Sequence, residues 1–571
     1  MRYHALATDY DGTLARHGVV DEATLAALDR LAASGRRLIL VTGRELDELL
    51  EVFPGLGIFH LVVAENGGLL YWPSSRRVEL LCKPPQPELV GLLHERGVSP
   101  LQVGRTIVAT VEPNETIVLA SIRDLGLEQH VIFNKGAVMV LPTGVNKASG
   151  LAAGLERLGL SPRNVVAVGD AENDHSMLQF AEFGAATANA VPMLKEHADL
   201  VLDGRQGAGV TELIDAMLAD DLRERPPRRR AVVLGHAPDG ASCALPAAGD
   251  SVLIAGESGS GKSVLAAAML ERLGEHGYQC CVVDPEGDFA ALAGAVVLGG
   301  EGGPTLQEFA TALEKPDAAV VANLAAVPLT ERAAAFASLW GHIVGMRVRT
   351  GRPHCVLINE AHHLLPREAD PEALAQTDTD GIVCVSAHPE SMSEAVLRTF
   401  DCVVATGTRA ADALLAFAHV AGAPAPALDG VPAPSPGDAL LWCVDEAQAP
   451  IPFTVAPPST VRQRERRRSA SGALPPERSF WFRGPEGKLN LRAQNLILFL
   501  QIAEGVDEET WGFHLRRGDY SEWMLNALHD AELAQAVRAI EKDRHLDGAS
   551  ARARLRDAIE ARYTPAAESH A

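Results

Sequence analysis

Several things are scarce in this chain, and each scarcity closes off a class of protein. Eight cysteines in 571 residues are too few and too scattered for a disulfide framework; only Cys280 and Cys281 adjoin, and no Cys-x-x-Cys occurs. Reduced, mostly buried thiols in a cytosolic protein are the expectation. No uninterrupted apolar run approaches the ~18 residues needed to cross a bilayer. The first residues enter a strand pattern directly, without a charged segment followed by an apolar signal core, so a cytoplasmic location and no membrane partner are expected. Positive charge is also short: 51 Lys and Arg stand against 74 Asp and Glu, a net charge of −23. That balance argues against a generally basic nucleic-acid surface, while leaving room for a local patch.

What is present is a globular composition, 47% hydrophobic, in a chain too long for one core. It divides by composition. Residues 1–220 alternate short apolar runs with helical patterns, as an α/β domain does. Residues 221–230 contain prolines and an arginine run, and read as a linker. A second α/β region covers 231–456. A second linker, 457–478, holds Arg462, Arg464 and Arg466 to Arg468. Residues 479–571 read as a small, mainly helical domain. Both arginine-rich linkers are expected to be solvated spacers rather than nucleic-acid contacts.

Four pieces of the first region carry phosphate chemistry. Asp9-Tyr10-Asp11-Gly12-Thr13 follows the apolar run Ala5-Leu6-Ala7. Two acids two residues apart on an extended chain share a face, beside a tight turn, which suits a divalent cation and a nucleophile. Leu38 to Val41 leads into Thr42-Gly43-Arg44, offering a hydroxyl and free amides to a phosphate. Lys147 supplies a cation for the same phosphate. Val165 to Val168 leads into Gly169-Asp170-Ala171-Glu172-Asn173-Asp174, another strand ending in acids.

This set resembles the haloacid dehalogenase superfamily of phosphohydrolases, across residues 1–220. Glu65-Asn66-Gly67-Gly68 and the insert after it resemble the Cof-type branch, which implies a Rossmann-like core with an α/β cap over about 70–143. The resemblance implies Asp9 as nucleophile, through an aspartyl-phosphate, and Asp11 as general acid and base. It implies Mg²⁺ held by Asp9, Asp170 and the Asp11 carbonyl, with Asp174 supporting the metal. Thr42 and Lys147 would bind the transferring group, Asn173 would orient Asp174, and Asn66 would line the cap boundary. The substrate implied is a small phosphorylated metabolite, a sugar phosphate first among them. Lys83, Arg105, Asn134 and Lys135 are candidate cap contacts to it.

The second region opens on the strand-like Ser251 to Ala255, then Gly256-Glu257-Ser258-Gly259-Ser260-Gly261-Lys262-Ser263, then a helical pattern. This is the phosphate-binding G-x-x-x-x-G-K-S in its strand–loop–helix context. Lys262 would reach the outer phosphates of ATP, and Ser263 would ligate Mg²⁺. Further apolar runs with polar exits end at Asp284, Asn359-Glu360, Ser386-Ala387-His388 and Thr406-Gly407-Thr408-Arg409, which predicts a parallel sheet with its site at the strand ends. The order resembles the HerA/FtsK class of P-loop ATPases, many of which are ring-shaped motors. Relatives usually end the strand before Glu360 in Asp-Glu; here it ends Asn359-Glu360. Glu360 would polarise the attacking water, Ser386 and His388 are candidate γ-phosphate sensors, and Arg409 a candidate for a neighbouring subunit's nucleotide in a homo-oligomer. His362-His363 makes a poor metal pair, because adjacent residues do not share a helix face.

In the last region, Leu491–Ile502 and Ser521–Ile540 have helical apolar spacing. Trp481, Trp511 and Trp523 are expected in its core, with Phe513 to Tyr520 as part of that bundle or a ligand-facing run. Two functions compete: a Mg²⁺-dependent phosphatase with an ATP-binding module, or an ATP-driven motor on nucleic acid or a protein partner with an accessory phosphatase.

Overall fold

The computed structural model describes residues 1–134, 136–225, 227–247, 249–300, 302–316, 318–367, 380–444, 449–458, 479–487, 489–493, 496–528, 531–543 and 546–563. The chain forms two compact units, Met1–Ala456 and Pro457–Ala571. Most of the 457–478 linker, with its arginines, lies outside the described residues, as does Lys135. Among the described residues no helix is long and apolar enough to cross a membrane.

The first sheet of unit one has eight strands. In order across the sheet they are Leu200–Val201, Phe183–Ala186, Val165–Gly169, Ala5–Thr8, Arg37–Val41, Leu61–Ala64, Leu69–Trp72 and Arg77–Leu80. The first six run parallel, Leu69–Trp72 runs against them, and Arg77–Leu80 pairs antiparallel with Leu69–Trp72. Ala5–Thr8 is central and buried on both faces, which explains its unbroken apolar run. Helices Glu22–Ala33 and Gly207–Asp220 cover one face through Leu28, Leu31, Leu213 and Met217. Lys147–Leu158 and His175–Phe180 cover the other through Leu151, Leu155, Met177 and Leu178. Parallel strands deliver their carboxyl ends to one edge, so Asp9, Thr42 and Asp170 meet there.

The insert forms its own antiparallel sheet of Gln102–Val103, Val108–Val111, Ala137–Pro142 and Gln129–Asn134, with helices Pro87–Glu95 and Glu115–Asp124. The cap boundary expected at about 70 moves: Leu69–Trp72 and Arg77–Leu80 extend the core sheet, and the insert starts after Leu80.

The second sheet has eleven strands. Seven run parallel: Cys402–Thr406, Val252–Gly256, Ile382–Ser386, Cys355–Ile358, Cys280–Asp284, Ala319–Asn323 and Ala295–Leu298. Beyond Cys402–Thr406, four antiparallel strands follow: Asp438–Cys443, Ile451–Val455, Ala231–His236 and Ser242–Pro246. The parallel block is the one the polar strand exits predict.

The two sheets share one compact unit through buried polar contacts. Glu182, fully buried, accepts from Arg2 at 2.7 Å and from Tyr278 at 2.7 and 2.8 Å, with Arg163 at 3.4 Å. Such a carboxylate is tolerable inside only because its oxygens are paired. The 221–230 stretch departs from the solvated spacer expected. Arg229 pairs with Asp199 and donates to Leu178 O, and Arg230 donates to Gln179 O and Ala181 O. These carbonyls lie at the end of the helix His175–Phe180, where the backbone leaves acceptors unpaired.

His354 ties the same interface. Its Nδ1 accepts from the Gln279 amide at 2.8 Å, and its Nε2 pairs with Asn164 Oδ1 at 3.0 Å, so the ring is neutral with the proton on Nε2. Burial, then the Arg352 charge, hold it well below the ordinary 6.5. Burial likewise holds His4 down at about 4. Below pH 6.5 the unfolded chain takes up protons that the native state refuses, so stability is full above that pH and falls as pH drops towards 4. His354→Gln is expected to flatten that fall in urea midpoints measured across this range. An equal slope in both proteins would contradict it.

Unit two pairs Phe480–Phe482 with Leu491–Ala493 and adds helices Leu496–Gly505, Glu508–Arg517, Asp519–Asn526, Ala531–Lys542 and Gly548–Tyr563. The helix expected from Leu491 therefore starts at Leu496, and the one expected over Ser521–Ile540 is two. Phe480, Phe482, Phe499, Trp511, Tyr520 and Trp523 build the core, while Trp481 alternates outward beside Arg483. His514 is buried, pairs with Asp519 at 2.7 Å and accepts from the Arg483 amide at 3.1 Å, so the Phe513 to Tyr520 run is used in packing.

Candidate active site

Asp9 leaves the central strand pointing at Lys147, the first residue of the helix Lys147–Leu158. Asn146 caps that helix by accepting from the Ser149 amide at 3.0 Å, which sets where Lys147 begins. Lys147 Nζ donates to Asp9 Oδ1 at 2.5 Å and to Asp174 Oδ1 at 2.6 Å. The other oxygen of Asp174 accepts from the amides of Asp170 and Ala171, both at 2.9 Å, so Asp174 holds the turn as well as the lysine. Asp170 accepts from Thr13 Oγ1 at 3.2 Å and from Asn189 Nδ2 at 3.0 Å. Asn189 also donates to Gly12 O at 2.8 Å, tying the two acid-bearing turns together. Thr42 ends the adjacent strand; its hydroxyl accepts from the Arg44 amide at 3.1 Å. Asn66 accepts from Asn173 Nδ2 at 3.2 Å, joining the loop after Leu61–Ala64 to the turn that carries Asp170 and Asp174.

The electrostatics are lopsided. Asp9, Asp170 and Asp174 are each at most 5% exposed, and Lys147 is the ammonium bonded among them. Burial, with the neighbouring Asp174 carboxylate, pushes Asp9 up to about 7 against the pull of Lys147. Burial alone would lower Lys147, but Asp174 and Asp9 outweigh it and hold the ammonium above its ordinary range. One oxygen from each of the three acids can lie within 4.8 Å of the others. A hard divalent cation fits this set, because it takes oxygen ligands and cancels the surplus charge.

A cavity of about 200 Å³ opens between core and cap, lined by Asp9, Asp11, Arg44, Asn134 and Met139 among others. Asp11 is gripped by Arg44 through two bonds, Nε to Oδ2 at 2.6 Å and Nη2 to Oδ1 at 2.8 Å. Arg44 also pairs with Glu48. Met139 comes down over Gly43, where an added Cβ would sit 3.5 Å from its sulfur. Of the candidate cap contacts, Asn134 lines the cavity. Lys83 is exposed, and Arg105 pairs with Asp47 at 2.9 Å. Sequence reasoning missed Arg44 and Asn189. Arg44 stands next to the Thr-Gly pair, which is a readable signal; Asn189 follows no motif.

At the second strand edge, the phosphate-binding loop runs from Gly256 into the helix Lys262–Glu275. Gly261 takes φ +100°, which only glycine adopts readily. Ser260 Oγ lies 2.7 Å from Thr406 Oγ1, and Lys262 Nζ donates to the Glu257 carbonyl at 3.0 Å. Gly259 and Ser258 form the exposed tip. Glu360 stands at φ +42°; burial pushes its carboxyl up and Lys262 pulls it back. Ser386 Oγ lies 3.1 Å from His362 Nδ1 and accepts from the His388 amide, His388 pairs with Glu390, and Arg409 pairs with Asp412. Ser263 Oγ and Asp288 Oδ2 lie 3.5 Å apart. In sequence Asp288 is one of several acids after the strand Cys280–Asp284, with nothing to single it out.

A doubly covered parallel sheet, a capped cavity and a buried acid–lysine cluster at the strand ends define a phosphoryl-transfer hydrolase. Residues 6–90 and 112–214 match the model of haloacid dehalogenase-like hydrolases, and residues 247–328 match that of the Helicase HerA central domain. The phosphoglycolate phosphatase of Methanothermobacter thermautotrophicus is 32% identical over 220 residues, 37% of this chain and 96% of that protein. The phosphoglycolate phosphatase of Pyrobaculum aerophilum is 32% identical over 226 residues, 38% of this chain and 97% of that one. Among solved structures, a haloacid dehalogenase-like hydrolase from Bacteroides thetaiotaomicron shares 22% identity and a TM-score of 0.34, covering 38% of this chain and 99% of that chain. The chain belongs to the haloacid dehalogenase-like hydrolases and is a phosphoric monoester hydrolase, with a P-loop domain of the HerA class joined to it.

Proposed function

We propose that residues 1–220 form a Mg²⁺-dependent phosphatase of a small phosphorylated metabolite, and that residues 231–456 bind ATP. The observation that carries the first part is Asp9, bonded to Lys147 beside two further buried acids while lining a capped cavity. The Asp9 carboxylate attacks phosphorus and forms an aspartyl-phosphate. Asp11 protonates the leaving oxygen, then takes a proton from the water that releases phosphate. Lys147 and Thr42 hold the transferring oxygens, where charge spreads in the transition state. Asp9, Asp170 and the Asp11 carbonyl would hold Mg²⁺, whose chemistry is to neutralise the carboxylates and phosphoryl oxygens that must approach one another.

The cavity favours a small, anionic substrate. About 200 Å³ is at or below the low end of ligand pockets, and the Arg44 guanidinium faces it among acids. A carboxylate competes well for a guanidinium fork. Together with relatives named phosphoglycolate phosphatase, this supports a short phosphorylated carboxylate in place of a sugar phosphate. The test is a panel of 2-phosphoglycolate, sugar phosphates and nucleotides with Mg²⁺. Phosphoglycolate is expected to give the highest kcat/KM; a sugar phosphate well ahead of it would overturn the carboxylate reading.

The match to the HerA central domain supports a second reading, an ATP-driven motor on nucleic acid. It requires tight, steeply salt-dependent DNA binding with DNA-stimulated ATP turnover. The net charge of −23 weighs against it.

A further inference from the structure

The departure at Asn359 raises the question of what holds a nucleotide's cation in the second domain. The strand before Glu360 ends in an amide, so it brings one carboxylate where Asp-Glu would bring two. The neighbouring strand, Cys280–Asp284, exits beside it, paired with it in parallel register. There Asp284 organises a tight loop. Its Oδ1 accepts from the amides of Glu286 and Gly287 at 3.2 and 3.0 Å, and its Oδ2 accepts from the Phe289 amide at 2.7 Å. Gly287 takes φ +83° within it. The loop so formed aims Asp288 at the phosphate-binding loop, 3.5 Å from the Ser263 hydroxyl.

Asn359 faces the same place from the other strand. It is fully buried, and its Nδ2 donates to Asp288 Oδ2 at 3.3 Å and to Asp284 Oδ1 at 3.1 Å. Its Oδ1 is buried with no hydrogen-bond partner among the described residues, which is uncommon for an amide and calls for a ligand, water or ion nearby. Two oxygens of an octahedral ion with bonds of about 2.1 Å lie between about 3.0 and about 4.2 Å apart. The Ser263–Asp288 separation falls within that span.

We propose that Asp288, together with Ser263, is a ligand for the divalent cation of a bound nucleoside triphosphate, with Asn359 orienting Asp288. The carboxylate absent from the strand before Glu360 is thus supplied by the adjacent strand's exit loop. The proposal rests on the reading of residues 231–456 as a nucleotide-binding domain.

Titration of the full chain with a fluorescent ATP analogue, with and without Mg²⁺, tests it. In wild type, Mg²⁺ is expected to tighten binding. Asp288→Asn should cut that Mg²⁺-dependent gain by about tenfold and leave Mg²⁺-free binding in place. Asp288 is exposed, so the amide brings no buried penalty. Equal melting temperatures check the fold, and Asp288→Ser serves as a second variant. A full Mg²⁺ gain in both variants overturns the proposal. Lys262→Ala separates the two levels: if wild type binds no better than Lys262→Ala, the nucleotide-binding reading itself fails and this proposal falls with it.

Discussion

Asp9→Asn is expected to abolish phosphatase turnover while leaving the fold as stable as wild type or more so. The amide is isosteric with the carboxylate and still offers an oxygen to Lys147 Nζ, now 2.5 Å away. It cannot attack phosphorus, and removing a nucleophile costs on the order of 10⁴ to 10⁶ in kcat. Stability moves the other way for a physical reason. Burial first, then the Asp174 carboxylate and more weakly Asp170, push the Asp9 carboxyl up to about 7 against the pull of Lys147. A neutral amide removes the repulsion. Phosphate-release rates and urea midpoints on the same preparation separate loss of chemistry from loss of fold. A variant that is inactive because it is unfolded would contradict this account of the cluster.

Lys147→Met has a different signature, and the second large effect. The ammonium is 1% exposed and bonded to both Asp9 and Asp174. Methionine has similar volume, so packing survives, but two buried carboxylates lose their counter-ion. Breaking one side of a buried pair costs about 3–5 kcal/mol. Turnover is expected to fall about 10² to 10³-fold as well, since a fixed donor to the transferring oxygens is gone. Mg²⁺ should raise the melting temperature of this variant more than that of wild type, because a cation substitutes for the missing charge. A variant as stable as wild type without Mg²⁺ would show that Lys147 does not hold the cluster together.

Much of the first site was legible in the sequence because the acids follow apolar runs. A buried parallel strand has to be apolar along its length, and the sheet collects carboxyl ends at one edge. That logic brings Asp9, Thr42 and Asp170 together and sets Asp174 one turn further on. Lys147 was readable from its place after the insert. The grip of Arg44 on Asp11 was not, because it depends on loop geometry rather than spacing. Asn189 comes from a loop with no pattern of its own.

The cap boundary was misplaced for a related reason. Leu69 to Trp72 is an apolar run that suits a core edge or a cap strand equally, and only its pairing with Leu61–Ala64 decides. Leu491–Ala493 shares helical spacing with the residues after it, yet pairs with Phe480–Phe482, a partner nine or more residues back. The arginines at 229 and 230 looked solvated because their acceptors, carbonyls of a helix end some fifty residues earlier, leave no mark in composition. Asp288 was visible as an acid after a strand, but its approach to Ser263 comes from the loop that Asp284 folds.

The central claim, that Asp9 is phosphorylated during turnover, has a direct measurement. The full chain is mixed briefly with radiolabelled substrate and Mg²⁺, quenched in acid, digested and mapped. The account predicts alkali-labile label on the peptide containing Asp9, absent when Mg²⁺ is chelated and absent in Asp9→Asn. Rapid phosphate release with no label on that peptide, and with Asp9→Asn turning over at the wild-type rate, would contradict it.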